Sequence, residues 1–223
     1  MGSDARFCES EDAVAVSRDT ITVPLFLLNA VLFRGTRLSL HVFEDRYRMM
    51  VSDCLDRDAA FGVVAIRSGP EVGGPQEPHN IGTLARILEH EVFEDGRMLI
   101  RVVGTGRFSL LSYRQAGGLL VGQVRFQPDV EERPGRVLRD EAYALASEYQ
   151  SFLVDAEEAR GAVPTEPEAL SYWIAQRLPM KPSDQQELLE QRQVSQRLAW
   201  EVGFLRQLLD ELRQPQQNGG WHP

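Results

Sequence analysis

A single lysine, Lys181, occurs in the 223 residues, and its setting excludes several chemistries. A phosphate-binding P-loop needs glycine immediately before its lysine, whereas Lys181 lies between Met180 and Pro182. A Ser-Lys dyad would have to use the same lysine. Ser183 nearby reads instead as the first residue of a capping box completed by Gln186. The histidines are His41, His79, His90 and His222. Nucleophilic triads are assembled by geometry rather than by order in the chain, but no Gly-x-Ser-x-Gly elbow is present. His79 falls in a loop and His222 in the C-terminal tail. His41 stands beside an apolar run at a strand-to-helix junction, the setting of a structural histidine. Glu89 and Glu91 flank His90 on a predicted strand and so share the opposite face. Two carboxylates on one side do not complete a metal site, and the simpler reading is a solvated strand face. Of the two cysteines, Cys8 lies in a polar N-terminal stretch and Cys54 on an apolar helical stripe. Neither a disulfide framework nor a thiolate zinc site is expected. No catalytic residue, cofactor or metal is therefore assigned.

The elements that must position any site change character along the chain. Residues 1–19 lack periodicity and read as a flexible arm. From Ile21 to Phe126, short runs rich in Val, Ile, Leu and Phe alternate with turn residues, as strands do. These runs are Ile21–Leu27, Arg37–His41, Phe61–Ile66, Gly82–Glu91, Arg97–Val103, Phe108–Tyr113 and Leu119–Phe126. Pro24 suits a strand start or an edge. In the fourth run Leu84, Ile87 and Val92 are expected inward. Glu94-Asp95-Gly96 predicts a hairpin, and Gly104-Thr105-Gly106 and Gly117-Gly118 predict further tight connections. Residues 68–80, rich in Gly and Pro, predict an exposed loop without ladder pairing. One helix interrupts the strands near Glu44, with Tyr47, Met50, Val51, Cys54 and Leu55 on one face. Glu44 is a candidate partner for an arginine of the barrel.

After Pro128 the pattern turns helical. Leu138, Ala142, Leu145, Tyr149 and Phe152 line one helix, and Ala169–Leu178 makes a second. Val194, Leu198, Val202, Leu205, Leu209 and Leu212 make the last, stopped by Pro215. Many short punctuated strands argue for a closed or nearly closed barrel over residues 20–128. A helical part over 129–213 and a disordered tail over 214–223 complete an α+β organisation.

The formal net charge of −9 repels polyanions unless basic residues segregate onto one face. Arg97, Arg101, Arg107, Arg114 and Arg125 cluster in the later strands and raise RNA as an alternative. No aromatic residues alternate with them as a stacking platform, and nucleic acid stays the less favoured partner. The longest nearly apolar run, Val23 to Phe33, is shorter than the roughly 17 to 25 residues needed to span a bilayer. The acidic N-terminus lacks the pattern of a secretory signal. A soluble cytoplasmic protein is expected.

The run from Val23 to Tyr47 resembles the opening of the Lon protease N-terminal, or LON substrate-binding, domain. The resemblance rests on Pro24-Leu25-Phe26, Leu32-Phe33 with Gly35, and Leu40-His41-Val42-Phe43-Glu44 leading to Arg46-Tyr47. It continues through Phe61-Gly62-Val63-Val64, Ile81-Gly82-Thr83-Leu84-Ala85, Asp95-Gly96-Arg97, Val103-Gly104, Arg107-Phe108 and Leu178-Pro179-Met180. Two family prolines are replaced by Leu27 and Arg34. The resemblance implies a PUA-like β pseudo-barrel followed by a C-terminal helical bundle. It also implies a stand-alone module, without the ATPase and protease domains, that recognises polypeptide or a partner protein and catalyses nothing. An adaptor or a chaperone-like binder of unfolded polypeptide is the leading expectation; an RNA-binding PUA-like module and a small-molecule enzyme are the alternatives. Phe33, Arg34, Phe43 and Tyr47 are the peptide-binding candidates, and for each aromatic the plainer role is core.

Overall fold

The computed structural model describes residues 20–153 and 161–213. The expected arm and tail, with Cys8, Pro215 and His222, lie outside the described residues. The strands are β1 (Thr20–Leu28), β2 (Arg37–Val42), β3 (Phe61–Ser68), β4 (Glu77–Pro78), β5 (Ile81–Val92), β6 (Met98–Ala116) and β7 (Leu119–Phe126). A helix, α1 (Asp45–Arg57), separates β2 from β3, and α2 (Arg136–Gln150), α3 (Pro167–Arg177), α4 (Pro182–Glu190) and α5 (Val194–Arg213) follow the strands.

Pairing runs β1-β7-β6-β5-β3, and a parallel β1–β3 pairing closes the ring. β2 and β4 hang from it on β6 and β3. Closure explains why β1 reads as a nearly unbroken apolar run, since both of its faces are covered. Leu25 and Leu27 join a cluster with Val64, Phe108, Leu110 and Val124. Phe26 and Leu28 turn the other way, to Leu40, Phe61, Ile100, Val102 and the buried face of α1. That face presents Tyr47, Met50, Val51 and Cys54, as the helical spacing predicts. Pro24 precedes Leu25, where the β3 pairing begins, so it lies where β1 has a neighbour on one side only.

The Gly104-Thr105-Gly106 connection is not a turn. β6 runs through it as one strand of 19 residues, pairing first with β2, later with β7, and with β5 along its other side. The register shifts opposite Leu84 and Ala85, as a bulge requires. Glycine is needed there for close approach. A Cβ on Gly104 would overlap the Phe33 carbonyl oxygen, and one on Gly106 the Phe126 ring. Gly104→Ala should therefore cost about 1–3 kcal/mol, read as a lower denaturation midpoint; an unchanged midpoint would show that the Phe33 loop yields freely.

Three further expectations are corrected. Val92 is exposed, because the end of β5 projects past the covered core. The 68–80 loop does hold a short ladder, Pro78 pairing with Ile66. Ser183 makes no cap: α4 starts at Pro182 with Lys181 as its N-cap, and Ser183 donates to Asp184. Gln186 is buried and donates to the Ile81 carbonyl instead. The Glu94–Gly96 hairpin forms, with Phe93 N–H donating to the Arg97 carbonyl.

The helices have their own core, in which Val194, Leu198, Val202, Leu205 and Leu209 of α5 meet Ala142, Ala146, Leu170 and Ile174. Leu212, expected on that stripe, is exposed at the helix end. A further cluster, with Val31, Phe33 and Ala65 from the barrel side and Tyr172, Ala175, Leu188 and Leu189 from the helices, joins the two parts.

Candidate functional site

The barrel–helix joint carries the densest polar chemistry in the described residues. Arg107 reaches it from β6, Asp129 from the segment after β7, Ser171 and Tyr172 from α3, and Arg197 and Glu201 from α5. Arg197 donates to both Asp129 carboxylate oxygens, at 3.0 and 2.8 Å, and Arg107 donates to the same carboxylate. Arg107 also donates to the carbonyls of Leu189 and Gln191, and the Tyr172 hydroxyl donates to Asp129 at 3.0 Å. One carboxylate thus pairs with two buried guanidinium groups and ties the barrel to two helices. Burial alone would raise the Asp129 carboxyl, but hydrogen bonds and charge from Arg197, and then from Arg107, outweigh it and hold the carboxyl below its usual range.

Glu201 lies behind this cluster, fully buried. Its Oε1 accepts from Ser171 at 2.9 Å, and Ser171 in turn accepts from Arg197 Nε. Its Oε2 has no partner. Burial pushes its carboxyl up to about 8, against the Ser171 hydrogen bond and the Arg197 charge, so the acid is mostly neutral at pH 7. Burial likewise raises the Tyr172 hydroxyl to about 12. These groups face one another across a packed seam, so the cluster is a fastening between lobes.

A cleft of about 840 Å³ opens beside that seam, lined by Arg34, Asp129, Glu132, Arg139, Glu168 and neighbouring residues. Its lining includes no Ser, Cys, His or Tyr, and Asp129 is committed to its two arginines. Of its carboxylates, Glu168 pairs with Arg34 and Asp129 with Arg107 and Arg197.

A second depression, about 280 Å³, lies at the barrel rim between the end of β2 and the β5–β6 hairpin. His41, Val42, Phe43, Phe93, Arg97 and Met98 line it. Phe43 is 50% exposed and Phe93 39%. Val42 pairs with Met98, and Met98 pairs on its other side with Val92, so the ladder sets the two phenylalanines on either side of Arg97. Val92, 59% exposed, extends the apolar surface along β5. Two half-exposed aromatic rings over a buried Met98 floor suit an apolar side chain better than a charged one.

The sequence candidates separate in space. Phe33 is buried in the joint, stacked on Tyr172 with ring centroids 5.8 Å apart. Tyr47 is buried against Phe26 and accepts the Leu27 N–H on its hydroxyl. Neither has surface to offer a partner. Arg34 is exposed and pairs with Glu168 at 2.6 Å, beside the cleft. Phe43 alone of the four lines the apolar depression. His41 is exposed there as well, not packed as a structural histidine. Glu44 pairs with Arg46, its neighbour in the first helical turn, not with a barrel arginine. Of the arginines considered for RNA, Arg107 is buried, Arg97 pairs with Asp95 and Arg101 with Glu89. Among the described residues no group of three potential ligands is placed to hold a metal, and no helix is long and apolar enough to cross a membrane.

Comparison with known proteins gives the family. The chain is 29% identical over 210 residues to Lon protease 2 of Sorangium cellulosum, covering 88% of this chain and 26% of that protein. It is 29% identical over 150 residues to the Lon protease of Phenylobacterium zucineum, covering 63% of this chain and 18% of that protein. The chain thus spans about a quarter or less of these relatives. The crystal structure of a Lon N-terminal domain protein from Xanthomonas campestris superposes with a TM-score of 0.65 at 29% identity, covering 82% of this chain and 98% of that one. The N-terminal domain of the Lon protease from Mycobacterium avium complex shares the fold at 15% identity and a TM-score of 0.63, over 83% of this chain and 98% of the other. The sequence model of the ATP-dependent protease La (LON) substrate-binding domain matches residues 22–207, and the chain belongs to that family.

Proposed function

We propose that the chain is a non-catalytic polypeptide-recognition module that receives apolar side chains of a partner at the Phe43–Phe93 depression. The observation that carries this reading is an aromatic-walled depression exposed on a rim otherwise rich in charge. Membership in the substrate-binding family supplies the class of ligand. Exposed contiguous apolar surface is costly unless covered part of the time, which is why such patches mark interaction sites. An adaptor or chaperone-like role in the cytoplasm follows from the same reading. RNA fits less well, since Arg97 and Arg101 are paired with carboxylates and Arg107 is buried. A small-molecule enzyme fits less well too, because Asp129 and Glu168 of the larger cleft are both taken up by arginines.

The test is equilibrium binding of a reduced, carboxymethylated and therefore permanently unfolded polypeptide at low and high salt. Phe43→Ser should weaken binding on the order of tenfold, the effect of losing an aromatic anchor, with thermal stability nearly unchanged because the ring is half in solvent. Binding should persist at high salt. Equal affinity of wild type and Phe43→Ser would remove the depression as the site.

A further inference from the structure

The rim next to the depression has an unpaired backbone edge. β5 pairs with β3 only over Thr83–Ala85 and with β6 along its length. Among the described residues, no strand pairs with the outer side of Arg86–Val92. The ladder also fixes which groups face out. Phe93 N–H donates inward to the Arg97 carbonyl. Alternation along an antiparallel strand then turns the N–H of Val92 toward the open side.

The side chains around this edge suit one kind of partner. Leu88 and Val92 are exposed beside it, and Phe93 leads into the depression. Glu89, Glu91 and Glu94 lie on or beside it, with Arg101 answering Glu89. A second copy of the same edge would set carboxylates against carboxylates, which disfavours self-pairing. An extended segment that alternates apolar and basic residues meets both the apolar and the acidic positions.

We infer that an extended, apolar-and-basic segment of the recognised polypeptide adds as a strand to the outer edge of β5 over Arg86–Val92, with an apolar side chain entering the Phe43–Phe93 depression. This inference rests on the polypeptide-recognition reading and specifies its geometry. Main-chain hydrogen bonds would supply affinity for many sequences, and the acidic row would supply preference.

The probes are four labelled octapeptides: one alternating valine and lysine, one alternating valine and glutamate, and two versions of the valine–lysine peptide N-methylated at alternate residues, one in each register. The intact protein should bind the first, and bind the valine–glutamate peptide on the order of tenfold more weakly. N-methylation in one register should cost a similar factor and in the other little, because only alternate amides face the β5 edge. Val92→Pro removes the outward N–H while the Phe93–Arg97 pairing stays, so it should weaken binding with the thermal midpoint retained. If both N-methylated registers bind like the parent peptide while Phe43→Ser still weakens binding, strand addition is wrong and the recognition reading stands. If Phe43→Ser is also without effect on the valine–lysine peptide and on the unfolded polypeptide, both fall.

Discussion

Asp129→Ala is expected to destabilise the fold by about 3–5 kcal/mol, the cost of leaving buried charge without its counter-ion. Arg197 is fully buried and Arg107 nearly so, and both give their charge-assisted hydrogen bonds to this one carboxylate. Their remaining bonds go to backbone carbonyls and to the Ser171 and Tyr172 hydroxyls, neutral groups that answer geometry but carry no counter-charge. The loss should fall first on the joint, because Asp129 is what the strand arginine and the α5 arginine share. Chemical denaturation read by two probes measures this. A lower midpoint and faster hydrogen exchange at Leu189–Gln191 than in wild type are expected. Equal midpoints for the two proteins would show that the barrel and helices hold together by apolar packing alone. Asp129→Asn should retain part of the stability, since the amide oxygen still accepts one bond but carries no charge.

The second large effect is a pH dependence set by Glu201. Its carboxyl stands at about 8 in the folded chain against an ordinary 4.5. The folded form therefore keeps a proton that the unfolded form has released across that window. Stability from this group is fully present below pH ~4.5, falls as pH rises, and is lost once pH passes about 8. Glu201→Gln keeps an acceptor for Ser171 and cannot ionise. The variant should gain on wild type by a few kcal/mol between pH 5 and pH 9, measured as the difference in unfolding free energy at each pH. Parallel curves over that range would mean that Glu201 is already ionised in the fold.

The architecture was readable because period and punctuation carry it. Apolar runs of strand length, the Glu94–Gly96 turn and the stripe Tyr47–Met50–Val51–Cys54 each reflect local geometry. Glycines signal turns and close packing alike, so the pattern splits β6 in two; at Gly104 the demand comes from Phe33, far away in sequence. Alternation points Val92 inward because it does not reveal where a strand outruns its core.

The site was less legible for the same reason. Phe33, Phe43 and Tyr47 are similar residues in one short stretch, yet two are core and one is surface. What separates them is tertiary: Phe33 packs against Tyr172 of α3 and Tyr47, on the buried face of α1, packs against Phe26, whereas Phe43 falls between β2 and α1 with half its surface exposed. The joint was missed, although a signal was present. Arg197 and Glu201 sit between Val194, Leu198, Val202 and Leu205, so they fall on the buried side of α5. Charges on the apolar stripe of a helix imply buried partners. Asp129 gives no such sign, standing in a segment that composition marks only as a connection.

Polypeptide is recognised, on this proposal, at the barrel rim. Photo-crosslinking tests it most directly: an unfolded polypeptide carrying photoreactive groups is bound to the intact protein, irradiated, and the attached residues are identified. Attachment is expected to concentrate at Phe43, Val92 and Phe93. Attachment concentrated instead on the cleft around Arg34 and Glu168, or on the stacked Trp200–Phe204 pair of α5, would contradict it.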